Sequence, residues 1–356
     1  LKLIKKLLLV IAVLAVILLL NTLLYYLILP INIGRYKVHT VENSACDDLI
    51  LGTMRACTDL DPDVLDAATG RTSFNAAYDE QYMLDCCYTL TDMVSCGNIP
   101  KRVILEFDPA TWSEDNQTDN DPACGYLAMK LSVTKPEYLY DKIKYGSNQL
   151  SVIFPWRQYV GTGTDELQAN LDAKTTEAYR NYDVSAYNTE EGQVYKKNGF
   201  LAVDEETGPE GDPGSFTLED EMKDGTSYDY FHTIITLCEM EDIDLEVVTL
   251  PIPLKVYKAD KESYDNAYAA MKKMSDSKGF GYQNYVTEAV VENAYLPEDY
   301  ADWYGCMKRK PAEEFSGIYG AYLKERQDLK EKEKEEEAES SSADDGQDGI
   351  DIVFQW

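Results

Sequence analysis

The first residues in this sequence with the makings of chemistry sit at the end of a short apolar run. Asp48-Leu49-Ile50-Leu51-Gly52 reads as a buried strand stopped by a glycine, and Thr53-Met54-Arg55-Ala56 follow it. A hydroxyl or thiol held on such a turn can attack an acyl carbon when a base takes its proton. Thr53 offers a hydroxyl there, and Cys306, far along the chain, offers a thiol. Each also has an ordinary use, Thr53 as a turn residue bonding its own backbone and Cys306 as a buried thiol or half of a disulfide. The base is the difficulty. The chain has only two histidines, His39 and His232, and a cysteine with no histidine nearby needs another means of lowering its pKa.

A second chemistry is cation binding. Asp115-Asn116-Gln117-Thr118-Asp119-Asn120-Asp121 is dense in oxygen ligands, which makes Asp115, Asp119 and Asp121 the metal candidates. The run lacks the central glycine and closing glutamate of an EF-hand, so a polar surface loop is the plainer account. Asp204 to Gly214 reads as a turn cluster on the same grounds. The eight cysteines show no zinc-ribbon spacing and leave any disulfide connectivity open. No cofactor is expected.

Composition narrows the partners. The 356 residues carry 64 acids against 33 bases, a net charge of −31. Nucleic acid needs a basic surface and is excluded as a main partner. Teichoic acids and anionic lipid head groups are disfavoured as tight ligands for the same reason. Residues 1–40 hold five bases and no acids, and residues 324–356 hold twelve acids against five bases, so the excess belongs chiefly to the middle of the chain. The 27 tyrosines, many of them between Tyr126 and Tyr187, suit a glycan or protein ligand, because each pairs an apolar face with a hydroxyl.

The elements that must position these groups begin with a membrane segment. Leu7 to Leu29 is apolar except for Asn21, Thr22, Tyr25 and Tyr26, and Lys2, Lys5 and Lys6 precede it. About 20 apolar residues cross a bilayer, and the lysines put the leading end in the cytoplasm. A cleaved signal peptide has a shorter core and a small-residue cleavage site, whereas Pro30-Ile31-Asn32 follow here. An uncleaved signal anchor is therefore expected, with everything past about residue 33 outside the cytoplasm, where disulfides are permitted.

Beyond it, apolar runs alternate with helical periodicity. Strands are expected at Asp48–Gly52, Arg102–Phe107 and Asp244–Leu250, and helices at Tyr78–Cys96, Ser227–Met240, Ser263–Ser275 and Ala312–Leu323. Such alternation predicts a three-layer α/β/α domain around a parallel sheet. The divisions expected are 1–32 for the cytoplasmic start and anchor, 33–44 for a juxtamembrane linker, and 45–323 for the α/β domain, with an insertion at about 113–225. Residues 324–356 read as an acidic, largely disordered tail that opens with a solvated helix extension, and Phe354-Gln355-Trp356 as part of either a docking end or a returning strand.

The stretch Asp48 to Ala56 resembles the first block of the SGNH/GDSL hydrolases, most closely the DltD-like membrane-anchored envelope proteins of Gram-positive bacteria. Asp61-Pro62-Asp63-Val64-Leu65, Thr69-Gly70, Ser73-Phe74-Asn75, Pro100 to Glu106, Asn198-Gly199-Phe200, Tyr230 to Pro253 and Ala312 to Ser316 continue the resemblance in order. It implies a flavodoxin-like fold over about 45–323 and hydrolysis or transfer of O-acyl esters. The family uses a serine on the turn after the first strand, a histidine and an aspartate from a C-terminal loop, and an oxyanion site of amides and an asparagine. Here Met54 stands at the serine position and Ala77 at the block-two glycine. Glu106-Phe107-Asp108 stand where an asparagine is expected. Cys306, or Gly305 in a shifted register, stands at the histidine, and Asp302 lies four residues before Cys306.

The resemblance therefore leads to the expectation of a bacterial single-pass membrane protein with an extracytoplasmic pseudoenzyme domain. Its partners would be an envelope glycan, an acylated polymer or another protein. The first alternative is a live esterase or acyltransferase with a displaced nucleophile such as Thr53. The second is a calcium-binding adhesive or scaffold protein.

Overall fold

The computed structural model describes residues 2–113, 125–145, 149–188, 191–205, 216, 218, 225–286 and 295–344. Asp115, Asp119, Asp121 and Phe354-Gln355-Trp356 lie outside them. Helix α1, Lys2–Ile28, has 27 residues and is long and apolar enough to cross a membrane. It extends about 40 Å at 1.5 Å per residue, and none of its apolar window is buried in the protein.

Five strands form one parallel sheet: β1 (Asp48–Leu51), β2 (Ser73–Asn75), β3 (Arg102–Glu106), β6 (Asp244–Thr249) and β7 (Gly281–Asn284), in the order β2-β1-β3-β6-β7. With the separate antiparallel pair β4 (Gln193–Tyr195) and β5 (Leu201–Val203) set aside, this is the doubly wound flavodoxin-like order. The three expected apolar runs are the three central strands, because strands covered on both faces carry apolar residues at consecutive positions. One face buries Leu49, Leu51, Val103, Leu105, Leu245 and Val247 beneath helix α5 (Met83–Ser95) and the Thr226–Met240 and Lys261–Lys278 helices. The other buries Ile50, Ile104 and Val248 against Leu65 of helix α4 (Pro62–Thr69) and Phe315, Tyr319 and Leu323 of the Arg309–Asp344 helix.

That second face turns ionic at the amino ends of the strands. Arg102 lies 3.7 Å from Asp48 and 3.8 Å from Asp244. Glu246 receives Arg326 at 3.1 Å and the Tyr322 hydroxyl at 3.3 Å, and Lys330 pairs with Asp244. Burial raises the pKa of Asp48, opposed by Arg102 and Arg71. Burial also raises that of Glu246, aided by Asp244 and opposed by Arg326 and Lys330. Gly281 on β7 leaves the room this carboxylate needs, since a Cβ there would collide with it.

Three boundaries differ from the sequence reading. Residues 33–44 are not a loose linker: helix α2, Gly34–Asn43, buries Tyr36, Lys37, Val38 and Val41. The final helix extends to Asp344, and the first part of the extension past 323 is docked instead of solvated, because Arg326 and Lys330 find carboxylate partners on the sheet. The helix expected from Tyr78 starts instead at Met83, because Glu80 takes a φ of 51° and Gln81 turns inward onto the Gly52 amide. A long segment separates β3 from β6 in the chain. It includes helices at Thr134–Tyr145, Gln149–Ile153 and Thr164–Thr175 as well as the β4–β5 hairpin.

Replacing Arg102 with Met removes the charge between Asp48 and Asp244 and leaves Arg71, 3.1 Å from Asp48, as the counter-charge of Asp48, and the expected loss is about 3 kcal/mol, the low end for a broken buried pair. The exposed Lys101–Asp47 pair is the control, because its removal should cost less than about 1 kcal/mol. Urea unfolding midpoints of the two variants measure the contrast.

Candidate functional site

The carboxyl ends of β1 and β3 meet at the point where the strand order reverses, where open α/β sheets place their sites. Gly52 makes the exit from β1 with a φ of 151°, and a Cβ there would lie 2.5 Å from the Glu106 Cβ and 2.8 Å from the Ala56 Cβ. Thr53 caps helix α3 (Met54–Asp59) by accepting the Arg55 amide at 3.4 Å.

Glu106, at the end of β3, holds this turn. Its Oε2 receives the Thr53 amide at 2.7 Å, the Thr53 hydroxyl at 2.9 Å and the Ala56 amide at 3.3 Å, and its Oε1 receives Arg55 Nε at 3.0 Å. The side chain is closed to water. Burial pushes its pKa up, Arg55 pulls it back, Asp108 pushes it up again, and the Thr53 amide pulls it down. All four hydrogen-bond partners donate, so the geometry suits the ionised carboxylate. Arg55 also reaches Asp108 at 3.0 Å. Burial disfavours the guanidinium charge, but Asp108 and Glu106 outweigh that and raise its pKa.

Asp302 and Cys306 reach the same region from the other side. Asp302 Oδ1 accepts the Gly305 amide at 2.9 Å and the Cys306 amide at 3.0 Å, which folds the loop back on itself. The Cys306 thiol is buried, and desolvation with Asp302 and Asp59 nearby raises its pKa well above the usual value. It is therefore a neutral thiol at physiological pH and a poor nucleophile. Asp59 lies beneath it, fully buried, its Oδ1 accepting the Met307 amide and the Thr58 hydroxyl, each at 2.7 Å. Burial raises its pKa well above the usual carboxylate range despite those bonds.

Ala77 sits behind the turn. Its amide donates to Asn75 Oδ1 at 3.1 Å, and its carbonyl receives the Lys37 ammonium. Lys37 enters from α2 and lies 3.1 Å from the Cys57 sulfur. Sequence reading passed over Lys37 because it assigned that stretch to a linker, and it passed over Glu106 as a functional group because the residue ends an apolar run. The hairpin turn after β4 joins the assembly. The Asn198 carbonyl accepts the Asn75 amide at 2.8 Å, and Lys196 pairs with Asp61 at 2.7 Å. The turn after β1, the end of β2 and the Asn198 turn thus meet at one end of the sheet.

Thr53, Met54, Asp302 and Cys306 border a common cavity of about 730 Å³, with Arg55 and Asp108 on its floor and Tyr264, Trp303 and Tyr304 among its aromatic walls. Asp79 and Glu80 add acid at the rim, while Arg55 is already paired with Glu106 and Asp108. The two histidines lie elsewhere. His39 stacks on Tyr182 with ring centroids 3.6 Å apart, and His232 lies on the Thr226–Met240 helix beside Tyr228. Among the described residues no cluster of His, Cys, Asp or Glu could hold a metal ion. The described cysteines are free thiols, and of these Cys96 is exposed.

Two measurements follow from the buried groups. Iodoacetamide should label Cys96 in the folded protein at least about tenfold faster than Cys306, which reacts only after unfolding. Equal rates would contradict the burial. Asp59 binds its proton more tightly folded than unfolded, so its stabilisation is complete below the unfolded pKa and is lost as pH rises through the folded one. Asp59→Asn should therefore show a smaller fall in urea midpoint between about pH 5 and about pH 8 than the unmodified protein.

No protein-family model matches the chain, and no curated protein matches it.

Proposed function

We propose that this chain is a membrane-anchored, extracytoplasmic relative of the SGNH hydrolases, related to the DltD-like envelope proteins, whose cleft binds a cell-envelope ligand without turning it over. The observation that carries this is the position of Glu106. The amides of the turn after β1, where an acyl hydrolase would stabilise a developing oxyanion, face a fixed carboxylate instead. A second anion formed beside it would be repelled in a site closed to water.

The remaining groups point the same way. Met54 has no proton to give, Cys306 is held as a neutral thiol, and Asp302 is engaged with backbone amides. The Ala77 amide, which by the resemblance would serve the oxyanion, already donates to Asn75. The cavity has the size of a small-molecule site. Its aromatic walls and the acidic side chains around it suit a hydroxylated, uncharged or cationic ligand such as a glycan, and oppose a polyanion. One bond favours the rival reading of an active enzyme. The Thr53 hydroxyl donates to Glu106 at 2.9 Å, the geometry of a nucleophile with a carboxylate base. Against it, a proton taken up by Glu106 would disrupt the buried pair with Arg55.

The test is ester turnover by the full-length protein in detergent, on a small acetyl ester. The unmodified chain should show none above the blank, and the Met54→Ser, Cys306→His double variant should show some. Turnover by the unmodified chain that disappears in Thr53→Ala or Cys306→Ala would overturn the proposal.

A further inference from the structure

Among the polar side chains within the apolar run of helix α1, Asn21 and Thr22 are satisfied inside the protein. The Thr22 hydroxyl donates back to the Leu18 carbonyl at 2.9 Å. Asn21 looks outward to another segment. Its Nδ2 donates to the Ile153 carbonyl at 3.1 Å, and its Oδ1 receives the Trp156 indole N–H at 2.8 Å. Asn21 stands seven residues before Ile28, the end of α1, or about 10 Å along the axis. Whatever bonds to Asn21 lies at that depth.

The bonded segment is the Gln149–Ile153 helix with the Pro155–Tyr159 turn that follows it. One side of it meets α1. The other presents Leu150, Ile153 and Val160, which are 55%, 41% and 68% exposed. From the next helix, Lys174 donates to the Tyr26 carbonyl at 2.6 Å and to the Leu29 carbonyl. A cation there satisfies the free carbonyl end of α1 and fixes the insertion against it.

We propose that residues 149–160 are a second membrane contact, seated in the outer leaflet beside α1 with Leu150, Ile153 and Val160 against the acyl chains. The proposal rests on α1 spanning the bilayer and not on the chemistry of the cleft. Two features select lipid as the occupant. Leu150, Ile153 and Val160 are exposed apolar side chains on the segment bonded to Asn21, as the apolar side chains of α1 are exposed, and the Asn21 amide and Trp156 indole at that depth are paired with each other, as a hydrocarbon surrounding requires. Trp156 is a residue type enriched at membrane interfaces. The arrangement also sets the cleft against the membrane surface. A second cavity of about 200 Å³ beside Met54 is walled by Ile31, Asn32 and Ile33, the residues just past α1.

The experiment uses the full-length protein reconstituted in phosphatidylcholine vesicles, with or without bromine on the acyl chains. Flotation first reports whether the protein is inserted. Tryptophan is then added at exposed positions, Val160→Trp in one variant and Met240→Trp in another. Met240 is 75% exposed at the opposite, amino end of the sheet, and neither change touches the core. Brominated lipid should abolish the emission added at 160 and leave that added at 240. Floating protein whose two variants are quenched alike would overturn the lipid contact and leave the face to a protein partner. Protein that does not float would overturn the anchor and the proposal together.

Discussion

A carboxylate removed from water has to find its hydrogen bonds in the protein, and Glu106 finds them on the turn that leaves β1. Two amides, one hydroxyl and the Arg55 guanidinium converge on it. Those bonds set the start of α3, hold Arg55 against Asp108, and forbid a side chain at Gly52. The shape of the large cavity follows, because Thr53 and Arg55, which this carboxylate holds, are among its lining residues. A turn built to stabilise charge that appears during a reaction would leave its donors free. This turn has its donors engaged before any ligand arrives.

The opposite end of the sheet solves a different problem with the same materials. Asp48, Arg102, Asp244 and Glu246 share one face at the amino ends of neighbouring strands, and Arg326 and Lys330 close over them from the final helix. Between the two ionic ends lie Ile50, Ile104 and Val248, packed on Phe315 and Tyr319. The final helix thus joins the domain through an apolar middle and a charged extension. A buried ionic cluster is weak evidence for net stability but penalises any other docking of that helix. In a chain with a net charge of −31, placing some of its few bases at these two ends keeps the sheet intact and leaves the cleft acidic.

Attachment to α1 is more than a tether. Helix α2 begins six residues after α1 ends and drives Lys37 into the back of the cleft, where it meets the Ala77 carbonyl and Cys57. The insertion grips α1 through Asn21, Tyr26 and Leu29. Helix α1, the insertion and the cleft are therefore joined through bonded contacts.

What the sequence determined by itself is the class of the molecule. The 23-residue run from Leu7 to Leu29 announces a helix long and apolar enough to span a membrane. The apolar runs at 48, 102 and 244 announce central parallel strands, because burial on both faces leaves that signature in consecutive residues. The edge strands were not legible. Ser73-Phe74-Asn75 and Gly281-Tyr282-Gln283-Asn284 carry no such run, and become strands only because β1 and β6 offer them hydrogen bonds. Residues 33–44 and 324–344 look polar along the chain, yet one buries Lys37 and the other docks Arg326, since their partners lie far away in sequence. Thr53, Met54, Asp302 and Cys306 were legible as residue types at their places in the chain. Their chemical condition was not, because a pKa and a free or occupied donor depend on neighbours in space. Only the tertiary structure decided that Glu106 fills the turn, for the bond between Glu106 and Thr53 joins residues that no local pattern connects.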